Sequence, residues 1–287
     1  MFKIFCYRFV LEKEEKFIKN PVYFVIRGFL GSALKKYFCV REGDCEKCIL
    51  KDTCIYSVVF SPKNIKREEI NISDIPRPFV IHNIELNEFL NVDMILIGEK
   101  NKEYLPYFIF AFEKIGKLKS VETIKGTIVY NDGRLIEDID SEIKIPEEEI
   151  KENFIILNFI TPTRIKYKGH YTENIEFHIL ISQLLRRIKM LNLFYGDKDK
   201  FLFDTKKLLD NSKNIMIKYR KIEWCDWGRY SRRQDEYMKL GGIVGEIGYE
   251  GNFKEFSYFL RLGEYIHIGK NSTFGLGRYI LKEGKNG

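Results

Sequence analysis

The pattern of apolar and polar positions in the second half of the chain predicts six elements in the order βαββαβ. Residues 154–160 form a short apolar run that Thr161-Pro162 ends, which is typical of a buried strand. Between Asn174 and Phe194, apolar residues recur at helical spacing. The pattern then predicts strands over 215–227 and 243–249, a helix over 253–265 and a last strand that ends at Leu281. This order is that of a ferredoxin-like domain.

The first half repeats the same order at an offset of 153 positions. Its predicted elements are a strand over 2–10, a helix over 21–37, strands over 79–85 and 92–97, a helix over 104–115 and a strand over 123–130. The offset also places Ile115-Gly116-Lys117 on Ile268-Gly269-Lys270. We therefore predict an α+β fold of two tandem ferredoxin-like (RRM-like) domains, 1–148 and 149–287. The junction is expected in the acidic, proline-containing segment 137–152.

Length and composition agree with a folded protein of two domains. The chain has 287 residues, of which 45% are hydrophobic and 15% aromatic, so it can bury a core in each domain. No apolar run approaches the roughly 20 residues that a membrane-spanning helix needs. Lys3, Tyr7 and Arg8 interrupt any signal-peptide core at the N-terminus. We expect a cytoplasmic protein without a membrane partner.

The net positive charge of the chain comes from its second half. The net charge is +7, with 48 basic and 41 acidic residues. Residues 1–150 carry 23 basic and 25 acidic residues, whereas residues 151–287 carry 25 and 16. A surplus of nine positive charges in one half favours a polyanionic partner, most simply a nucleic acid. The basic surplus has an alternative interpretation, because a chain can be rich in lysine, isoleucine and asparagine for reasons unrelated to binding.

Four passages carry a resemblance to a known family. They are residues 26–34, residues 159–164, residues 227–234 with Gly241-Gly242, and the glycine-rich C-terminal loop within residues 267–279. Together they make the chain resemble a CRISPR repeat-cleaving endoribonuclease of the RAMP superfamily, the Cas six family. The agreement of all four with the duplicated layout carries more weight than any single passage.

The resemblance implies an enzyme that binds the CRISPR repeat in precursor RNA and cuts it once, without a catalytic metal or other cofactor. The ribose 2′-hydroxyl would attack the adjacent phosphate, leaving a 2′,3′-cyclic phosphate and a 5′-hydroxyl. Such a reaction needs a general base, a general acid and a cation that stabilises the phosphorane. The resemblance leaves open other CRISPR-associated proteins and a second copy of this chain as partners.

Four residues are candidates for the catalytic groups. His267 stands two residues before Gly269, at the start of the glycine-rich loop, where it would either exchange protons or cap the preceding helix. Many family members carry their histidine on the first helix, and that helix here has none. Lys36, Tyr37 and Tyr23 on the first helix are the alternative candidates.

Arginine, lysine and aromatic residues of the second half are candidates for RNA binding. Guanidinium groups beside aromatic rings suit phosphate contact and base stacking, and glycines let a backbone approach a phosphate. The predicted RNA-binding residues are Arg229, Tyr230, Arg232, Arg233, Lys166, Lys168, Gly269, Lys270, Gly275, Gly277 and Arg278. For the three glycines, a simple tight turn is the alternative interpretation.

Four of the six cysteines form a cluster over residues 39–54, an insertion directly after the first helix. Their order is Cys39-x5-Cys45-x2-Cys48-x5-Cys54. The Cys-x2-Cys core is typical of a metal site, and four thiolates would fill a tetrahedral zinc site and leave no open position for substrate. We expect structural zinc here, with an iron–sulfur cluster as the alternative.

Two other functions are consistent with the sequence. The same superfamily supplies non-catalytic RNA-binding subunits of CRISPR effector complexes, and the missing histidine on the first helix fits such a subunit. Alternatively, the cysteine cluster would be the active centre of an iron–sulfur redox protein. Cleavage of repeat RNA in EDTA and the colour of the purified protein distinguish these hypotheses.

Overall fold

The structure is a computed structural model that describes residues 1–18, 22–40, 45–62, 75–136, 139–196, 203–231 and 236–284. Within strands, the side chains at 229–231 and 236–239 are outside this description. The chain divides into two compact units. The first contains Met1–Ile143 and Met190–Asp199, and the second contains Lys144–Lys189 and Lys200–Gly287.

The first unit contains a six-stranded antiparallel sheet with helices packed on it. Its elements are β1 (Ile4–Glu12), α1 (Val22–Phe38), α2 (Ile55–Phe60), β2 (Phe79–Leu86), β3 (Phe89–Ile97), α3 (Glu99–Lys102), α4 (Leu105–Ile115), β4 (Leu118–Thr123), β5 (Ile128–Asn131) and β6 (Arg134–Leu135). The strand order is β2-β3-β1-β4-β5-β6. Phe9 of β1 stacks on Phe112 of α4 with 4.1 Å between ring centroids, at the centre of the apolar core.

The second unit contains a four-stranded antiparallel sheet and a separate short hairpin. Its elements are β7 (Phe154–Thr163), β8 (Ile165–Tyr167), β9 (His170–Thr172), α5 (Phe177–Tyr195), α6 (Thr205–Ser212), β10 (Met216–Ser231), β11 (Glu236–Glu250), α7 (Ser257–Ile266) and β12 (Tyr279–Glu283). The sheet order is β10-β11-β7-β12. Phe177 is buried at the start of α5 and makes edge contacts with the rings of Tyr249, Phe253 and Phe256.

The strand orders confirm the predicted α+β class and its tandem ferredoxin-like arrangement. When the strands of each large sheet are counted along the chain, the first strand lies between the third and the fourth, and the second strand pairs with the third. This is the arrangement that a βαββαβ chain adopts when each helix crosses one face of the sheet. The first strand of each unit is central, and β1 is accordingly apolar along most of its length.

Some elements differ from the sequence prediction. The predicted strand over 123–130 is two strands, β4 and β5, joined by a turn in which Gly126 has φ of +81°. The β8–β9 hairpin and α6 are too short for a periodic pattern to indicate them.

The boundary between the units also includes a feature that the sequence pattern does not indicate. The units divide at Ile143, and residues 190–199 group with the first unit although α5 begins in the second. Asn192 Oδ1 accepts a hydrogen bond from Phe2 N–H at 3.0 Å, and the Tyr195 hydroxyl donates one to Pro76 O. These bonds hold the last turns of α5 in the first unit.

No helix in the described ranges is long and apolar enough to cross a membrane.

Candidate nucleic-acid interface

The β8–β9 hairpin of the second unit exposes a group of basic and aromatic side chains. Tyr167 pairs with His170 across a two-residue turn, in which Lys168 has φ of +46° and Gly169 has φ of +90°. Two consecutive residues with positive φ suit the right-handed twist of a tight hairpin. The turn therefore leaves Lys168 and His170 exposed, together with Lys166 on β8.

Arg164 and Tyr171 form a stacked pair at the base of this hairpin. The Arg164 guanidinium carbon lies 4.4 Å from the centroid of the Tyr171 ring, within the range of a cation–π interaction. Tyr171 is 47% exposed, so one face of the pair remains accessible. Stacked aromatic and guanidinium planes are the type of surface on which unpaired bases stack.

The glycine-rich loop packs directly against Arg164. Lys270 N–H donates to Arg164 O at 3.0 Å. A Cβ atom added at Gly269 would lie 2.4 Å from the same carbonyl oxygen, so only glycine allows this approach. Backbone contacts thus place the exposed Lys270 side chain beside the hairpin. We call Arg164, Lys166, Lys168, Tyr171 and Lys270 the hairpin–loop surface.

Gly275 and Gly277 serve the packing of the loop, which corrects the prediction that their amides approach a phosphate. For the amide of Gly269 that role remains a prediction. Gly277 N–H donates to Pro162 O at 3.2 Å, and Gly275 N–H donates to Ser272 O at 2.9 Å. A Cβ atom at Gly277 would lie 1.8 Å from Ile268 O. The amides of Gly275 and Gly277 are therefore occupied, and the tight-turn interpretation is the one the structure supports.

Arg278 is half-buried, and its backbone bridges the loop and β7. Its N–H donates to Thr161 Oγ1 at 2.9 Å, and its carbonyl accepts from Ile160 N–H at 2.9 Å. Burial raises the pKa of the nearby Glu264 carboxyl, while the hydrogen bond from Leu281 N–H and the charges of Arg261 and Arg278 oppose that rise. Lys270 is exposed whereas Arg278 is half-buried, so Lys270 is the better candidate for a phosphate contact.

His267 is buried, which corrects its assignment as a proton-transfer residue. Its side chain has no exposed surface. The ring Nδ1 lies 3.1 Å from Leu276 O, so Nδ1–H is the donor, and its backbone N–H donates to Gly263 O at 2.9 Å. The backbone at φ 61° and ψ 166° is a conformation that side chains rarely adopt and that costs about 1–3 kcal/mol. His267 ends α7 and holds the loop, and it cannot contact RNA in this conformation.

The three candidates on α1 do not form one group. Tyr23 lies near the start of the helix and packs against the core, whereas Lys36 and Tyr37 lie exposed near its end. Thirteen helical positions separate Tyr23 from Lys36, which is about 20 Å along the axis. Tyr23 therefore cannot act at the same phosphate as Lys36.

The end of α1 is a positively charged surface with an aromatic component. The Tyr37 ring makes an edge contact with Phe110 at 5.2 Å between centroids. Lys36 Nζ and Lys114 Nζ lie 5.4 and 5.6 Å from the Tyr37 centroid. Lys35 and Lys36 are both exposed. These ammonium groups can donate to a phosphate without any change in the core.

Two of the arginines predicted to bind RNA, Arg232 and Arg233, lie between β10 and β11 and outside the described residues. Arg229 and Tyr230 lie in β10, where their backbones pair with Met238 and Tyr237, and their side chains are not described. Their role in RNA binding remains a prediction.

Sequence reasoning missed Arg164 and Tyr171 as members of the hairpin–loop surface. The Lys168-Gly169 pair between two short β-type segments is the signal that could have indicated the hairpin. The four histidines all lie in the described ranges. Of these, His82 and His267 are buried, His178 lies 3.3 Å from the Glu176 carboxylate, and His170 is exposed.

The predicted metal-binding cysteines lie half-buried after α1, and none of the four is in a disulfide. Within the described ranges, no three histidine, cysteine, aspartate or glutamate side chains are placed so that they could hold a metal ion. Metal binding therefore remains a prediction for these cysteines.

Comparisons with known proteins agree with this architecture. Residues 157–279 match the family model of the CRISPR-associated endoribonuclease Cas6, and residues 2–136 match a family model described as an N-terminal domain. No curated protein matches the chain. The hairpin–loop surface lies wholly within the range of the first match.

Solved structures resemble almost the whole chain. A Thermus thermophilus Cas6 is 14% identical with a TM-score of 0.56, covering 98% of this chain and 99% of that chain. A Cas6 product complex is 16% identical with a TM-score of 0.55, covering 98% and 100%. In a partial Cas6-RT-Cas1--Cas2 complex, the match is 13% identical with a TM-score of 0.57 and covers 99% of this chain and 46% of that chain. At these identities the likeness concerns the fold.

Proposed function

We propose that the chain binds CRISPR repeat RNA and processes it, because through residues 157–279 it belongs to the CRISPR-associated endoribonuclease Cas6 family. The position of the hairpin–loop surface within the family match carries this proposal. The neighbours described as a product complex and as a complex with Cas1 and Cas2 support repeat RNA and other CRISPR-associated proteins as partners. A homodimer remains a prediction.

The hairpin–loop surface has the chemistry that single-stranded RNA requires. Lys166, Lys168 and Lys270 supply exposed ammonium groups for the phosphates, and Tyr171 on Arg164 supplies a stacking plane. Sequence-specific RNA binding commonly uses unstacked bases on such planes. Because these side chains stand on a tight hairpin and a loop with an internally bonded backbone, their backbone positions are fixed before RNA binds.

The proposed cleavage is an attack by the ribose 2′-hydroxyl on the adjacent phosphate. The RNA supplies the nucleophile, so no metal-bound water is needed, and the products carry a 2′,3′-cyclic phosphate and a 5′-hydroxyl. We assign Lys36 to the protonation of the leaving 5′-oxygen and to the stabilisation of the phosphorane charge. The exposure of Lys36 and the burial of His267 favour this assignment. We retain Tyr37 as a neighbouring group that positions the Lys36 ammonium.

The burial of His267 also favours a second candidate function. A chain with no histidine on α1 and a buried histidine at its glycine-rich loop fits an RNA-binding subunit that does not cut. Such a subunit would hold guide RNA in an effector complex.

Incubation of the purified chain with end-labelled repeat RNA in excess EDTA tests the proposal. The expected result is one cut within the repeat, at the same rate as without EDTA. Tight binding without a cut, with or without Mg²⁺, would support the non-catalytic subunit, and cutting that requires Mg²⁺ would contradict the proposed mechanism.

We expect the hairpin to contribute to the salt dependence of RNA affinity. Replacing Lys166 and Lys168 together by alanine should weaken binding and reduce the slope of log K against log salt by about 0.7 for each lost phosphate contact. The matched control replaces Lys218 and Lys254, exposed lysines of the same unit outside the surface. A salt series of dissociation constants that gives the same slope for all three proteins would remove the hairpin from the RNA interface.

A further inference from the structure

The four clustered cysteines join the end of one helix to the beginning of the next. Cys39 directly follows α1, and its N–H donates to Lys35 O at 3.1 Å, so it continues the last helical turn. Cys54 immediately precedes α2, and its carbonyl accepts the N–H of Val58 at 2.9 Å. The outer two thiols are thus fixed to two helix ends by backbone hydrogen bonds.

The inner two thiols lie on a short turn between these helices. Cys45 begins a 3₁₀ turn, and Cys48 N–H donates to Cys45 O at 3.3 Å. The chain then turns again, with Cys54 N–H donating to Leu50 O at 2.8 Å. A hydrogen-bonded turn across Cys-x2-Cys is a backbone arrangement typical of metal-binding knuckles.

The described part of the segment between the two helices has no hydrophobic core of its own. Among its described residues from 39 to 54, none is buried. Val40 is 80% exposed and Ile49 is 84% exposed, so the larger apolar side chains point to solvent. A segment that buries so little apolar surface needs another source of stability, such as a bound metal ion.

The four donors are cysteine thiols, which is the ligand set of many structural zinc sites. Lys35 lies one helical turn before Cys39, whose N–H donates to the Lys35 carbonyl. Four thiolates around Zn²⁺ carry a net charge of −2, which a nearby lysine stabilises.

We propose that Cys39, Cys45, Cys48 and Cys54 bind one structural zinc ion. Each thiol releases its proton to solvent as its sulfur binds, and the four sulfurs complete a tetrahedral shell with no position for a substrate. The described side chains are not at coordination geometry, so binding includes a local adjustment in which the turn closes on the ion.

The zinc ion would fix the end of α1 against α2. These helices already share contacts, since Arg27 stacks on Phe60 at 4.7 Å and Lys35 Nζ lies 6.0 Å from the Tyr56 centroid. The metal adds a link beside the exposed end of α1. This inference is independent of the proposed RNA cleavage, because zinc binding by these four thiols does not depend on the function of the chain.

Elemental analysis of the purified full chain tests the site. We expect about one zinc per chain, and loss of that zinc with a lower Tm when Cys48 is replaced by serine. Cys225→Ser changes a half-buried cysteine outside the cluster and should keep both the zinc and the Tm. Co²⁺ added to zinc-stripped parent should give the visible absorption of a tetrahedral thiolate site, which reports on the site without relying on the folding of a variant.

Two results would overturn the inference. A parent protein that is free of metal, takes up no Co²⁺ and has the same Tm with and without Zn²⁺ would show that the cysteines are ordinary thiols. Iron and sulfide in place of zinc, with a brown protein, would identify an iron–sulfur cluster instead.

Discussion

Replacement of Lys36 by alanine is expected to slow cleavage of repeat RNA by about 100- to 10,000-fold, the usual contribution of one acid–base group. Lys36 is exposed at the end of α1, so the variant should fold and bind repeat RNA nearly as well as the parent. Single-turnover cleavage at saturating enzyme measures this loss separately from binding.

Two further variants show what Lys36 contributes. Lys36→Arg keeps the positive charge but cannot release a proton at neutral pH. Recovery of most of the rate by arginine would mean that Lys36 stabilises charge, whereas a loss as large as that of alanine would mean that it transfers a proton. Lys125→Ala, an exposed lysine in the β4–β5 turn, is the matched control and should cleave normally. A parental rate for Lys36→Ala would remove this lysine from the reaction.

Gly277→Ala should destabilise the second unit by about 4 kcal/mol, an exceptional value for one methyl group. Gly277 has φ of +78°, which costs a residue with a side chain about 1–2 kcal/mol. Its added Cβ would also lie 1.8 Å from Ile268 O, a backbone atom that cannot rotate away. Thermal unfolding measures the effect, which we expect to be a fall in Tm of about 10 °C.

Gly169→Ala is the matched control, because Gly169 has φ of +90° but no atom within 4 Å of an added Cβ. Only the backbone strain should remain, so this variant should lose about 1–2 kcal/mol. Equal losses at the two positions would show that the packing of the loop against Ile268 contributes nothing to stability.

The order of elements could be predicted because periodicity is a local property. Apolar positions over 154–160 and across α5 indicate a buried strand and a helix whatever lies around them. The fourth strand of the first unit could not be placed, because the turn at Gly126 interrupts two short strands that together look like one. A local sequence pattern predicts the type of an element more reliably than it predicts where the element ends.

His267 shows why site residues were harder to predict than the fold. Its sequence position beside the glycine-rich loop is the same whether its ring points to solvent or into the core. Its burial depends on Leu276, whose carbonyl receives the ring N–H, and on the packing of α7 against the loop. Such contacts form between distant parts of the loop, so a pattern of neighbouring residues does not contain them.

Arg164 and Tyr171 were missed for a related reason. They lie seven positions apart, and only the two-residue turn at Lys168-Gly169 brings the guanidinium over the ring. The basic surplus of the second half predicts a polyanion interface in that half, and it does not indicate which residues form it.

A repeat RNA with a single 2′-deoxyribose at the cleavage position tests the central claim most directly. In the proposed mechanism that hydroxyl is the nucleophile, so the deoxy repeat should bind like the parent RNA and remain uncut, while the unmodified repeat is cut in EDTA and leaves a 2′,3′-cyclic phosphate. Cutting of the deoxy repeat at the same position and at a comparable rate would contradict this mechanism, because the nucleophile would then come from water or from the protein.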